Sequence, residues 1–403
     1  MAATARADVV VVGAGIVGAC TAYWLKRLDP SLQVVLLERD TGFARASSSL
    51  SASSIRQQFS SPVNIRMSQF GVEFLRTAPV LLTVADDEGA PALGWCERGY
   101  LYLAADAGDA DALRALNAVQ RGLGADVALL SAGDLRRRFP WLNTDDIVLG
   151  SLGLSGEGWF DGPALHAAVL RKARAMGAQL VRAQVVGLDV VDAPAGANGA
   201  RRVQAVALAD GSRIACGQLV NAAGAWARAV AAAAGVALPV HARRRTVFVL
   251  SCPQPPAGCP LVIDPSGFWF RPEGAHFIAG RTPDPDADDL PLEPNHAEFD
   301  DAWWARLAHR VPAFEALRVQ RAWAGYYEMN LFDHNAVIGR HPDVNNLLLA
   351  NGFSGHGMQQ APAAGRGVAE LIVHGAYRAL DLSDLGFERL LANRPLLESC
   401  VIG

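Results

Sequence analysis

The sequence predicts an α/β chain of two domains, and three observations predict it. The first is residues 8–38, where four valines, Val9 to Val12, run without a gap into Gly13, Ala14, Gly15, Ile16, Val17 and Gly18, then into a helical stretch and a second apolar run ending on Glu38. A buried parallel strand passing through GxGxxG into a helix is the start of a Rossmann-like βαβ unit. The second is residues 236–283, a series of short β-rich runs broken by turn residues, which suits a largely antiparallel sheet. The third is length: 403 residues exceed what one ordinary core organises, so two domains, interleaved in sequence, are expected.

Composition narrows the class. Half of the residues are hydrophobic (51%), enough for a sizeable core, and a net charge of −4 with scattered arginines argues against nucleic acid or an anionic membrane as partner. The Ala-rich residues 222–240 are interrupted by Arg228 and Pro239, so no transmembrane segment is expected. The first strand begins within a few residues of the N-terminus, leaving no room for a secretion signal, and a soluble cytoplasmic protein is the expectation. Cys20, Cys96, Cys216, Cys252, Cys259 and Cys400 are dispersed with no CxxC pair, so reduced thiols are expected. Only Lys26 and Lys172 supply lysine.

The elements follow in order. The helix after Gly18 runs to Arg27, Asp29, Pro30 and Ser31 break it, and residues 34–37 form the second strand. The first turn of that helix offers free N–H groups and a positive dipole end to a pyrophosphate. Glu38, twenty residues after Gly18, stands where a carboxylate accepts hydrogen bonds from both ribose hydroxyls of an adenosine. This element reads as dinucleotide-binding and leaves NAD or FAD open. Residues 39–59 are rich in Ser, Ala and Gly, suited to close approach to phosphates or a flat ring, the alternative being a flexible surface loop. Residues 64–76 have helical spacing through Ile65, Phe70, Phe74 and Leu75.

Residues 91–103 turn to short strands, and 110–122 and 131–138 are helical, with Arg136, Arg137 and Arg138 as a solvated face. A loop from Gly156 leads into a helix with Pro163 near its start and Gly177 at its end. Residues 179–191 read as one strand, and 203–208 with 213–215 as a hairpin around Asp210-Gly211. A short apolar strand then runs into Ala222, Ala223 and Gly224, where small residues allow close approach of cofactor or backbone. Asp284, Asp286 and Asp288 have calcium-loop spacing, but the prolines and the missing glycine and terminal Glu favour a solvated linker, and no metal is expected. Residues 346–350 form a strand, GFSGHG follows at 352–357, and a helix runs from Gly357 or Met358 to His374 and Gly375. GxSxG would need glycine at His356, which sets aside a serine hydrolase.

Taken together, VVVVGAGIVGA, LVNAAGAWA, RAWAGYYEMNLFDHNAVIGRHP and ANGFSGHGMQQAPAAGRGVAELI resemble, in that order, the D-amino acid oxidase (DAO) superfamily of FAD-dependent oxidoreductases, which includes sarcosine oxidase, glycine oxidase and dimethylglycine dehydrogenase. Within it the chain is most similar to the FAD-dependent oxidoreductase domain-containing assembly factors of respiratory complex I, through SSIRQQFSSPVNIRMS and GFSGHGMQQAP. The resemblance implies a discontinuous FAD-binding domain, 1–90, 150–235 and 325–403, and a substrate domain, 91–149 and 236–324. It implies that Gly13 to Gly18 hold the FAD pyrophosphate and Glu38 the ribose, with Arg39 and Trp226 beside the cofactor. Ser47, Ser48 and Arg56 would lie along pyrophosphate and flavin, Val186 would meet the adenine side, and Ala223, Gly224 and Gly325 would line the cofactor. Gly355, His356, Gly357 and Met358 would meet the flavin pyrimidine edge, where a helix N-terminus stabilises the charge of the reduced ring. For His356 a structural role in a glycine turn stays open.

The chain departs from the pattern in ways that matter. Gly325 and Tyr326 stand in the segment where relatives carry a flavin-linking cysteine, which implies a noncovalent FAD. Ile278 occupies the place of an oxygen-activating lysine, so electrons are expected to leave to a carrier rather than to oxygen. Gln359 replaces a carboxylate-gripping lysine, leaving Arg281, Arg271 and the run Arg243 to Arg245 as candidates for an acid, or as plain strand charge. Tyr326 and Tyr327 are candidate pocket walls. The expectation is an FAD-dependent dehydrogenase of an amino acid or N-methylated amine, with His356, Tyr327 and Arg281 at the reacting centre. A structural flavin in an assembly factor and a peroxide-forming oxidase are the alternatives.

Overall fold

The computed structural model describes residues 5–85, 90–194, 196 and 199–399. The chain opens with β1 (Ala5–Val12), α1 (Ile16–Leu28) and β2 (Val34–Glu38). Then come α2 (Ser47–Leu50), the two-residue β3 (Ser54–Ile55) and α3 (Pro62–Leu81). The next part holds β4 (Tyr100–Ala104), α4 (Ala107–Gly122), β5 (Val127–Ser131), α5 (Ala132–Arg138) and β6 (Leu149–Gly153). After β7 (Gly158–Trp159) follow α6 (Gly162–Ala175), β8 (Gln179–Arg182), β9 (Val185–Asp192), β10 (Arg201–Leu208), β11 (Arg213–Asn221) and α7 (Ala227–Ala233). The chain continues through β12 (Val240–Ser251), β13 (Leu261–Ile263), β14 (Phe268–Glu273), β15 (His276–Arg281), α8 (Asp301–Arg310) and β16 (Arg318–Asn330). It closes with β17 (Val337–Arg340), β18 (Leu347–Asn351), α9 (Gly357–Val373) and α10 (Glu388–Leu391).

Two eight-stranded sheets carry the architecture. In the first, β18, β11, β1, β2 and β8 pair in parallel, β17 adds antiparallel to β18, and the hairpin of β9 and β10 joins through the start of β11. The valine run explains why β1 is central. Val9 and Val11 face the core shared with α1 and α9, while Val10 and Val12 face the opposite core, so both sides of the strand are buried. The second sheet has the order β16-β12-β15-β14-β13-β4-β6-β5 and is antiparallel except for β13 against β4. Its core is aromatic, built on Phe248, Phe268, Phe270, Phe277, Trp303 and Phe314. Tyr100 and Tyr102 point to one side of β4 and Leu101 and Leu103 to the other, the two-residue period of a strand.

The structure corrects several boundaries. β16 pairs with β12 from Arg318↔Ser251 to Asn330↔Val240, so the domain limit expected at 325 falls inside one continuous ladder of the second sheet. β6 completes the same sheet and crosses the limit expected at 150. Residues 179–191 are two strands, because the chain leaves β2 after Arg182 and turns to pair with β10. Before Tyr100, residues 91–99 contribute only an isolated bridge at Cys96. The aspartate-rich linker lies at the surface as expected but is tied down: Asp286 accepts hydrogen bonds from Arg243 and Arg245, Asp288 accepts from Arg243, and a bridge between Arg243 and Asp288 lays the segment along β12. Those partners lie about forty residues away in sequence, beyond the reach of local pattern.

No helix among the described residues is long and apolar enough to cross a membrane. No cluster of His, Cys, Asp or Glu that could hold a metal occurs among them. Five cysteines stand unpaired, and Cys400 lies outside the described residues.

Candidate functional site

A single deep cavity runs from the C-terminal ends of β1 and β2 to the face of the second sheet. At its first end the glycine turn is built by close approach. Gly13 has φ +94°, and a Cβ there would lie 2.4 Å from the Ala222 carbonyl oxygen; at Gly18 it would lie 2.0 Å from the Gly13 carbonyl oxygen. Only glycine allows β1, β11 and α1 to meet this tightly. Gly13, Gly15, Ile16 and Val17 line the cavity, whereas Ala14 and Gly18 sit behind it as packing. The Ala14 amide donates to Glu38 Oε2 (3.1 Å), the Asp40 amide to Glu38 Oε1 (2.9 Å), and the Ala14 carbonyl accepts from the buried His166 ring (2.7 Å). Burial lowers the His166 pKa, which keeps the ring neutral and its N–H a donor.

The Ser-rich segment is folded onto this turn. Ser48 Oγ accepts from the Ile16 amide (2.9 Å), and Ser47 Oγ donates to the Tyr326 carbonyl (2.6 Å), tying α1 and β16 to the same short helix. Val186, Ala223, Gly224 and Trp226 line the outer end, where the Arg39 guanidinium lies 3.8 Å above the Trp226 ring.

At the inner end, Gly325, Tyr327, Glu328, Gly355, Gly357 and Met358 line the wall. α9 begins at Gly357 with no side-chain cap, so its first turn opens on the cavity with its N–H groups unsatisfied by the helix itself. Trp269, Arg245 and Arg281 close the cavity from the second sheet. Both arginines are already engaged. Arg245 grips Asp286 with two nitrogens (2.6 and 3.0 Å) over the Tyr327 ring, and Arg281 donates to the Glu298 carbonyl (2.8 Å) and Asp300 (3.1 Å). Arg271 is buried on the Ala52 carbonyl and Glu273, outside the lining. The Tyr326 hydroxyl donates to the Leu290 carbonyl (2.7 Å). No cysteine lines the cavity, and Ile278 is buried among Val247 and Val249.

Arg56 and His356 are displaced from their expected place. Both are buried behind the cavity wall, with His356 Nε2 accepting from Arg56 Nη2 at 2.9 Å and its ring edge-on to Phe59. Burial first, and then the adjacent guanidinium, push the His356 pKa far down, so the ring is neutral. Gln359 turns the same way, accepting from the Arg56 amide (2.8 Å). The sequence did not single out Glu328 or Trp269, which line the cavity, or His166, which braces the glycine turn. The alternation of β16 carried the signal for Glu328, placing it two residues from Tyr326 on one face.

The residues present fit FAD. The side-chain-free cradle at Gly13 and Gly15 opens directly to the cavity, and the uncapped first turn of α9 lies at the other end. A family described as FAD dependent oxidoreductase, DAO, matches residues 8–371. The chain is 42% identical to FAD-dependent oxidoreductase domain-containing protein 1 of Xenopus laevis, over 98% of this chain and 85% of that protein. It is 28% identical to the mitochondrial sarcosine dehydrogenase of Homo sapiens, over 92% of this chain and 40% of that longer protein. The crystal structure of L-proline dehydrogenase from P. horikoshii superposes with a TM-score of 0.81 at 25% identity, covering 98% of this chain and 100% of that one.

Proposed function

The chain belongs to the DAO family of FAD-dependent oxidoreductases, and we propose from that premise that it dehydrogenates an amino acid or N-methylated amine at the carbon beside nitrogen. One observation carries this: a single cavity joins the glycine turn of α1 to the uncapped start of α9 and is closed by Tyr327 and Trp269 from the second sheet. When bound, FAD supplies the two-electron acceptor that takes hydride from the substrate carbon, leaving an imine that water hydrolyses. Glu38 would hold the adenosine ribose, Gly13, Gly15, Ile16 and Val17 with Ser47 and Ser48 the pyrophosphate, and Val186 the adenine side. The first turn of α9 would favour negative charge at the pyrimidine edge.

Tyr327 and Trp269 would align the substrate against the far end of the cavity. Two relatives named above are dehydrogenases of secondary amino acids by their names, which supports a secondary amine as substrate. No lysine is among the residues that line the cavity, which supports transfer of electrons to a carrier. The absence of cysteine from the lining supports a noncovalent flavin.

The test is anaerobic titration of the FAD-loaded protein with proline, sarcosine, dimethylglycine and D-amino acids, read by its visible spectrum and followed by air. Bleaching by a secondary amine with slow recovery in air is expected. Rapid recovery would make the protein an oxidase. Because Arg245 and Arg281 already carry carboxylates, a second reading has specific support: a flavin that serves structure, in a protein that works by binding a partner. Full FAD occupancy with no bleaching by any substrate would select that reading.

A further inference from the structure

We propose that Glu328 is a cofactor-tuning residue, its carboxyl placed beside the start of α9 to hydrogen-bond the bound flavin at that end of the cavity. The inference rests on the FAD reading of this cavity and concerns a residue that has no part in the glycine turn or the α9 backbone. Glu328 follows Tyr327 on β16, opposite Ala242 of β12. Its carboxyl accepts from the Gly352 amide (3.0 Å) and the Phe353 amide, and its carbonyl accepts from the Ser354 amide (3.1 Å). These bonds fasten the side chain to the loop that leads into α9. Oε1 lies 3.6 Å from where a Cβ of Gly357 would stand, so the carboxyl sits beside the first residue of the helix. The residue keeps some exposed surface and lines the cavity, while its carboxyl is held by the two backbone amides.

No ion pair accounts for this carboxyl among the described residues. On β12, His241 pairs with Asp288, Arg243 with Asp286 and Asp288, Arg244 lies 3.7 Å from Glu298, and Arg245 holds Asp286. At the head of α9, His356 is neutral against Arg56, and the exposed His334 lies in the turn after β16. Tyr326 and Tyr327 precede Glu328 on its own strand, the former bonded to Leu290. Burial pushes the Glu328 pKa up to about 8 against the pull of its two amide donors. Near neutral pH the carboxyl therefore has an O–H to give, and it stands next to the helix terminus that favours charge on the flavin. A purely structural anchor for Gly352 and Phe353 would need only an acceptor, and glutamine would serve as well.

The consequence is a cofactor potential coupled to one protein proton. Above its pKa the carboxylate opposes negative charge at the flavin edge; below it the acid favours that charge, so reduction becomes harder as pH rises through about 8. The experiment is spectroelectrochemical titration of the FAD-loaded wild type, Glu328→Gln and Glu328→Ala from about pH 6 to about pH 10. Wild type should show an inflection in midpoint potential near pH 8 that Glu328→Gln lacks, and Glu328→Ala should bind FAD several-fold more weakly at neutral pH. An inflection retained in Glu328→Gln, or absent from wild type, would overturn the inference. Should the variants fail to fold, the wild type alone decides through its redox-difference infrared spectrum. A protonated-carboxyl band that shifts on reduction and titrates near pH 8 is expected, and its absence overturns the proposal. Wild type that takes up no FAD defeats the reading of the cavity; wild type with FAD and no inflection defeats this inference alone.

Discussion

Glu157 is fully buried behind the cavity, its carboxyl accepting from the Gln57 amide (2.7 Å), Gln58 Nε2 (2.9 Å) and the Tyr100 amide (3.3 Å). Burial raises its pKa from 4.5 to about 7 despite those donors and the nearby Arg56. For an acid with a raised folded pKa, the stability contribution is complete below the unfolded value and is lost as pH rises through the folded one. Glu157→Gln should therefore be more stable than wild type above pH 7 by on the order of 2–3 kcal/mol, reduced by one lost acceptor, with the advantage gone near pH 4.5. Urea unfolding at both pH values checks it, and an advantage independent of pH would contradict it. Gly13 gives a second prediction at this scale. Gly13→Val places a branched side chain at φ +94° against the Ala222 carbonyl, so FAD uptake should be lost and stability should fall by about 2 kcal/mol or more. Uptake and thermal melting unchanged from wild type would show that the turn is not held as tightly as its geometry requires. The glycines and Glu38 were legible because their chemistry is local. Arg56 and His356 were misplaced because nothing local says which way a side chain turns from a loop.

At the scale of elements, the acidic segment after β15 acts as a strap on β12. Asp286 is shared by Arg243 and Arg245, Asp288 by Arg243 and His241, and the Leu290 carbonyl accepts the Tyr326 hydroxyl. Asp286→Ala leaves the Arg245 guanidinium without its carboxylate and Arg243 with Asp288 alone in a half-buried site, a loss on the order of 2–3 kcal/mol. Limited proteolysis should then cut within residues 282–295 much faster than in wild type, and an unchanged cleavage rate would mean that the ion pairs do not hold the strap. Helices were the more legible elements. α5 has the capping box of Ser131 and Asp134 written into its sequence, and α6 has Asp161 as N-cap with Pro163 behind it. Strands were less legible: β8 and β9 read as one because both are β-rich, and only their different partners part them at Ala183 and Gln184.

For the whole molecule, the cavity is walled by both sheets, so a ligand filling it stabilises the assembled chain and not the unfolded one. FAD at a hundred times its Kd should add about 2.7 kcal/mol, seen as a melting temperature that climbs with FAD concentration. Acid precipitation should release all of the yellow colour to the supernatant; colour left on the polypeptide would contradict a noncovalent flavin. The sequence by itself determined the βαβ unit, the glycine turn, the acid that ends β2 and the start of α9, because each rests on pattern within a short stretch of chain. Only the tertiary structure decided that β16 belongs whole to the second sheet, that the cavity arginines arrive already paired, and that Glu328 faces the cavity while His356 does not. Those outcomes depend on which distant strand supplies a hydrogen-bond ladder, a counter-charge or a wall, and such partners are fixed by packing across the whole chain rather than by any one stretch of it.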